Sequence, residues 1–405
     1  MAINAIRSLY FPKFRKLMYL HILLSTGFWI QQIVIGWIVY DQTNSPLLTS
    51  LALGIDTIPI LFGGFIGGAL VDRFNPKICI IFVTSVQFIL VSSLTAIMFL
   101  DTFSIWYIYP IVLFIGFTWV VYDPSKISLG MRLVDEDSIS NIFGMWICGF
   151  NIPRILSSIL AGYLIVYLGA KYALLLESLM ILSAFLSIWF LKYEHPVSQN
   201  SNISTTQIYI DIKNLFTIIK NNNLLIGFFL LSFIPILLLI PSTTGLLPVY
   251  ASDILKLDAR GLGILQAFSG LGQICGIFII GMFTHKKMGK YAIWSIYISA
   301  CFAILFALSN TYYLSMLFIF VVNFCIAVFH NSTSYVMFST IDENYRGRLS
   351  GLQVSSFGLF IAGTTLSGIL ANLFGASIST ITCMILIIVI SSIIVTKYRV
   401  IYANQ

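Results

Sequence analysis

Apolar stretches follow one another through this chain, and a short polar or charged loop separates each from the next. A bilayer span needs about 20 mostly apolar residues at a rise of ~1.5 Å per residue. Segments near 17–40, 47–71, 77–100, 104–125, 139–168 and 171–191 meet that standard. So do 224–248, 261–284, 289–309, 313–338, 347–373 and 376–396. The pattern predicts an all-α membrane protein of twelve transmembrane helices. Pro59, Pro153, Pro235 and Pro241 fall inside spans and predict kinks there.

One interval breaks the rhythm. Residues 192–223 read KYEHPVSQNSNISTTQIYIDIKNLFTIIKNNN, Ser/Asn/Thr-rich at first and amphipathic afterwards. Ile208, Ile212, Leu215, Phe216 and Ile219 share one helical face, which predicts a helix lying on the cytoplasmic leaflet. The chain therefore divides into a six-helix lobe (1–191), a linker (192–223) and a second six-helix lobe (224–405).

Composition agrees. Apolar residues make up 59% of the chain and charged ones 9%, which excludes an ordinary soluble domain. If the N-terminus is cytoplasmic, only Lys171, Lys256 and Arg260 lie outside, and Arg154 lies within a span. Every other one of the 22 Lys and Arg residues lies on the inner side. That bias predicts a multi-pass protein of the cytoplasmic membrane with both termini inside. It also accounts for the net charge of +7, and a nucleic-acid partner is excluded because the charges form no patch outside the loops. The apolar run from Leu17 is a full span with no small-residue cleavage site, so it does not read as a signal peptide. Cys79, Cys148, Cys275, Cys301, Cys325 and Cys383 stand singly, without metal-ligand or disulfide spacing.

The halves echo each other. Val134-Asp135-Glu136 opens the loop before the fifth span, and Ile341-Asp342-Glu343 opens the loop before the eleventh. Gly68-x3-Asp72-Arg73 ends the second span, as Gly281-x3-His285-Lys286 ends the eighth. Such matches point to internal duplication, common in secondary transporters.

The layout resembles the major facilitator superfamily, and Gly68-x3-Asp72-Arg73…Lys77 is similar to its signature loop. The chain looks like the branch of macrolide-efflux proteins and the enterobactin exporter. That likeness rests on Trp37-Ile-Val-Tyr40-Asp41-Gln-Thr43-Asn-Ser45-Pro46 and Leu247-Pro248-Val249-Tyr250-Ala251-Ser252-Asp253. Gly261-Leu-Gly263-Ile-Leu-Gln-Ala267-Phe-Ser-Gly270-Leu-Gly272 and Tyr345-Arg346-Gly347-Arg348 add to it. The branch carries Arg-x-x-Gly-Pro on the fifth span, where this chain has Arg154-Ile-Leu-Ser157-Ser158. The fourth span starts with Tyr107 and Tyr109 and lacks the arginine of many proton antiporters.

An ionisable group within a span costs ~2.5–3.5 kcal/mol or more at the helix centre, so each asks for a partner or a task. Counting ~1.5 Å per residue puts Arg154, Gln31, Asp56 and Glu177 in one layer, slightly outward of the midplane. Asp56 or Glu177 is placed to neutralise Arg154, as a proton-coupling pair or as a static ion pair. Gln31, Gln32, His330 and Asn331 are candidates for the substrate cavity, His330 also as a proton shuttle or a satisfied core histidine. At the cytoplasmic surface Gly68, Asp72, Arg73, Asp123, Arg346 and Arg348 are gate candidates. The resemblance implies that this loop latches the inner side closed. His21 and His195 carry no sign of a site.

No HExxH, GxSxG, Walker or dinucleotide motif occurs, so no enzyme chemistry, cofactor or metal is expected. The sequence thus reads as a monomeric secondary transporter. The resemblance implies export of a small hydrophobic or amphipathic compound by alternating access, coupled to protons. A lysolipid flippase of the same fold and a non-transporting membrane scaffold are the alternatives.

Overall fold

The computed structural model describes residues 7–63, 74–100, 103–193, 205–282 and 287–398. Among them twelve helices are long and apolar enough to cross a membrane, and no strand occurs. The first six are α1 (Pro12–Thr43), α2 (Pro46–Gly63), α3 (Pro76–Met98), α4 (Ile105–Arg132), α5 (Asn141–Tyr167) and α6 (Ala170–Trp189). The linker helix α7 (Thr205–Asn221) follows. The last six are α8 (Asn223–Ile254), α9 (Ala259–Met282), α10 (Met288–Leu308), α11 (Tyr312–Thr340), α12 (Tyr345–Phe374) and α13 (Ala376–Lys397).

Local chemistry sets the helix starts. The Ser45 hydroxyl accepts from the Leu48 N–H, Asn75 caps the Lys77 N–H, and Asn222 caps those of Leu224 and Leu225. Pro46 and Pro76 stand at the first helical position, where the missing N–H costs nothing. α4 runs on to Arg132 instead of ending near 125, and its last turns are polar enough to escape a hydropathy reading. Some turns of the two halves share a backbone conformation. Gly169 before α6 and Gly375 before α13 share φ near +90° (99° and 89°), and Asn44 and Lys256 are left-handed in the loops after α1 and α8.

The prolines act as expected on α8. π-helical turns begin at Pro235 and Pro241, and a third spans Tyr250–Ile254. A proline donates no N–H to its preceding turn, so the backbone there shifts to wider spacing. α2 carries a 3-10 turn at Ile55–Thr57, just before Pro59. The linker helix packs part of its apolar face on the C-terminal half. Leu215 and Ile219 are buried within the core of the C-terminal half, while Phe216 stays exposed beside the Phe229 ring. The side chains of Ile208 and Ile212 lie outside the described residues.

Burial shows how the halves meet. On the side bearing the chain ends, the terminal side, two apolar cores are separate. One gathers Phe14, Leu17, Tyr122 and Trp146, and the other Leu215, Met288, Met337 and Leu349. On the far side a single core joins both halves, with Ile35, Val39 and Leu53 packed among Leu246, Tyr250, Leu262 and Phe306. Burying apolar side chains against each other stabilises the far-side contact and leaves the terminal side parted.

Candidate functional site

The far-side closure is built from motif residues. Tyr40 on α1 donates its hydroxyl to the Asp253 carboxylate on α8, so the two sequence motifs quoted above meet across the halves. α5 and α9 approach closely because Gly263 lies against the Ser158 carbonyl and Gly162 against that of Ala259. A Cβ at either glycine would strike backbone that cannot swing away, so small residues set the helix spacing. Between α8 and α9, Asp258 caps α9 by accepting from the N–H groups of Arg260 (3.0 Å) and Gly261 (3.3 Å). The Arg260 guanidinium, 2.8 Å from Asp258, holds that carboxyl below the usual carboxylate range and also reaches the Tyr167 hydroxyl of α5 (3.3 Å).

Arg154 sits deeper on the same joint, 3% exposed. It donates to the Ser269 hydroxyl of α9 at 2.5 Å, and its guanidinium lies 4.5 Å from the centre of the Trp29 ring. Trp29 is itself held by the Phe150 carbonyl at 3.0 Å. Gly270 makes room for the arginine stem. The expected ion pair is not formed. Among the described residues no salt bridge involves Arg154, Asp56 or Glu177. Depth counting put the four groups in one layer but ignored helix rotation, which turns Arg154 toward the other half. Ser269 carried no signal in the sequence beyond its place in the glycine-rich motif.

Asp56 lies on the 3-10 turn of α2, where the close approach of Gly116 on α4 admits its backbone carbonyl. It is 8% exposed, and its Oδ1 has no partner in the protein. Gln31 and Glu177 are brought together around one small cavity, with Gln87 and Trp119. Gln32 is half-buried. His330 lines a recess of about 40 Å³ between α8, α11 and α12 with Ile236, Ile240, Phe329, Gln353 and Phe357. Its ring meets Phe357 at 5.8 Å. Asn331 spends its amide on the Ala327 carbonyl of its own helix (2.8 Å) and does not line the recess.

Of the gate candidates, Gly68, Asp72 and Arg73 lie outside the described residues. Asp123 pairs with Lys126 one turn on (2.6 Å), and Arg346 pairs with Glu343 (3.0 Å) and the Phe338 carbonyl (3.2 Å). Arg348 lies 5.2 Å from the Tyr345 ring centre. His21, which the sequence left without a role, is fully buried where α1, α4 and α5 cross. Its Nε2 donates to the Trp146 carbonyl (3.1 Å), so its Nδ1 accepts from the Tyr122 hydroxyl (3.1 Å).

A model of the Major Facilitator Superfamily matches residues 17–363, and the chain belongs to that family. It is a secondary transporter by family and fold. No curated protein sequence matches it. Among solved structures it is similar to a mutant of the nucleoside transporter NupG, with 15% identity and a TM-score of 0.75, over 96% of this chain and 100% of that one. A POT family transporter in complex with 5-aminolevulinic acid gives 13% identity and a TM-score of 0.76, over 96% of each chain. A bacterial homolog of the human lysosomal transporter Spinster, inward-facing and unoccupied, gives 12% and 0.72, over 97% of this chain and 98% of that one. At these identities the likeness is one of fold.

Proposed function

We propose that the protein exports a small hydrophobic or amphipathic compound across the cytoplasmic membrane in exchange for protons, as in the macrolide-efflux and enterobactin-exporter branch. The observation that carries this reading is the lining of the recess around His330, at about 40 Å³ only one wall of a substrate path in this reading. Its walls are Ile236, Ile240, Ile326, Phe329 and Phe357, its polar groups are His330, Gln353, Ser232, Thr333 and Ser356, and no Asp, Glu, Lys or Arg lines it. An apolar pocket with a few placed polar groups suits an uncharged or weakly polar molecule. A carrier of sugar phosphates or dicarboxylates would present several convergent cations. The recess borders the joint where Gly358 of α12 packs on Leu61 of α2, so movement of the halves alters it.

The parted side bears both chain ends, which the cation bias assigns to the cytoplasm, so the state described is open inward. Return to an outward-open state breaks the Tyr40–Asp253 and Arg154–Ser269 contacts together. Proton coupling runs through Asp56 in this reading. Its Oδ1 is buried without a partner, and Arg154 of the same half loses Ser269 when the halves part, so the charge surrounding the carboxylate depends on conformation. The test is efflux of amphipathic dyes and macrolides from vesicles carrying the purified protein under an imposed pH gradient. Gradient-dependent flux is expected. Translocation of a fluorescent lysolipid alone would replace this reading with a flippase, and gradient-independent silence with folded protein would replace it with a scaffold.

A further inference from the structure

Three polar atoms inside the N-terminal half have no partner in the protein, and their residues line the same space. They are Nε2 of Gln31 on α1, Nε1 of Trp119 on α4 and Oε2 of Glu177 on α6. Gln31 is 4% exposed and Glu177 2%. Buried polar groups are nearly always hydrogen-bonded, so three orphans at one place point to a missing partner common to all. The space measures about 10 Å³, close to what a single water requires.

A fourth polar residue, Gln87 of α3, lines it too. The Thr118 hydroxyl donates its one hydrogen to the Ile115 carbonyl (2.6 Å), so it accepts from the Gln87 amide nitrogen (2.7 Å). That leaves the Gln87 carbonyl oxygen and the second amide hydrogen for the space, and the oxygen can accept from a donor there.

The chemistry of the set selects the ligand. An anion is opposed by the Glu177 carboxyl. A metal cation needs converging oxygens, whereas the Trp119 indole offers an N–H and no lone pair, and no flip can change that. Water satisfies all four. It accepts from Gln31 and Trp119 through its two lone pairs and donates to Glu177 and Gln87 through its two hydrogens. We propose that this cavity is a binding site for one water molecule, and that this water is the partner of Glu177.

All four side chains come from the N-terminal half, on α1, α3, α4 and α6. Rocking of that half as a body leaves the site intact, so Glu177 does not exchange partners during transport as a coupling carboxylate must. The water instead ties Gln31 to α6 on the helix that carries Trp29, the platform under Arg154.

A structure of the full chain in lipid nanodiscs near 2 Å resolution tests the site directly. A density peak about 2.7–3.2 Å from Gln31 Nε2, Trp119 Nε1 and Glu177 Oε2 is expected. A dry cavity, or a peak coordinated only by oxygens at about 2.3–2.6 Å, would overturn it, the latter marking a cation. Variants supply the second measurement. Glu177→Gln keeps an oxygen for the water and is expected to retain both thermal stability and gradient-driven flux. Glu177→Leu and Gln31→Leu each lose the water, so their losses in Tm are expected not to add in the double variant. Additive losses, or a folded Glu177→Gln protein without gradient-driven flux, would refute the proposal.

Discussion

The two halves share a fold and differ in what they bury. Inside the N-terminal half His21, Asp56, Lys126, Arg154 and Glu177 are all buried, so five ionisable groups lie among its helices. Among the described residues of the C-terminal half, no Asp, Glu, Lys or Arg is buried. Its buried polar groups are mainly hydroxyls, several of them spent on carbonyls of their own helices, as Ser242 on Leu238 (2.6 Å) and Thr243 on Leu239 (2.8 Å). A hydroxyl bonded one turn back bends its helix cheaply, and α8 of this half holds the three π-helical turns. In the proposed function, charge that responds to the gradient belongs to the first half and a deformable apolar recess to the second.

That division can be broken in four places. The largest effect is expected from Asp56→Asn, which should cut pH-driven flux about tenfold or more while ligand binding stays within about twofold. Gln353→Ala in the other half should leave the gradient response intact. A gradient response surviving in Asp56→Asn would end the assignment of coupling to the N-terminal half.

Next is the joint. Arg154→Ala should cost about 2–4 kcal/mol of overall stability, from a charged hydrogen bond across the halves and a desolvated ring contact within the first half. Ser269→Ala removes only the bond and should cost about 1.5–3 kcal/mol. Denaturant unfolding and labelling of far-side cysteines measure both. Equal losses would mean that the Trp29 platform contributes nothing.

His330→Ala is expected to weaken substrate binding about fivefold, the worth of one ordinary hydrogen bond at ~1 kcal/mol. The pH profile of flux should not move, and a displaced profile would bring a titrating group into the second half.

The smallest effect sharpens the closure. Asp258→Ala should cost about 1 kcal/mol through the lost cap of α9. Since Arg260 depresses the Asp258 pKa, the ionised cap contributes fully above the ordinary carboxylate pKa and fades as pH falls through the folded value. The difference in stability between wild type and variant should therefore shrink in acid, and one that grows instead would reverse the sign of the interaction.

Spans and connections were legible because each declares itself locally. Pro46 after Ser45 starts α2 whatever lies beside it, and a run such as Leu224–Leu231 prefers lipid on composition alone. The site was legible in part. Gln31 and Glu177 were set at one depth, and they line one cavity. Arg154 was set at the same depth, yet faces Ser269. Depth follows from counting along one helix, whereas a neighbour depends on the rotation of two.

The sequence by itself determined the number and order of spans, and its repeats and charge bias set the expectation of a doubled unit with both ends inside. Transfer of a segment into a bilayer depends on its own residues, so these properties are close to sums along the chain. Only the tertiary structure decided that Tyr40 meets Asp253, that Arg154 joins the halves instead of pairing with Asp56, and that three orphaned polar atoms enclose a space for one water. Lipid is as apolar as the residues facing it, so hydropathy does not orient one span against another. That orientation comes from close packing at glycines such as Gly263 and from the few polar contacts between helices.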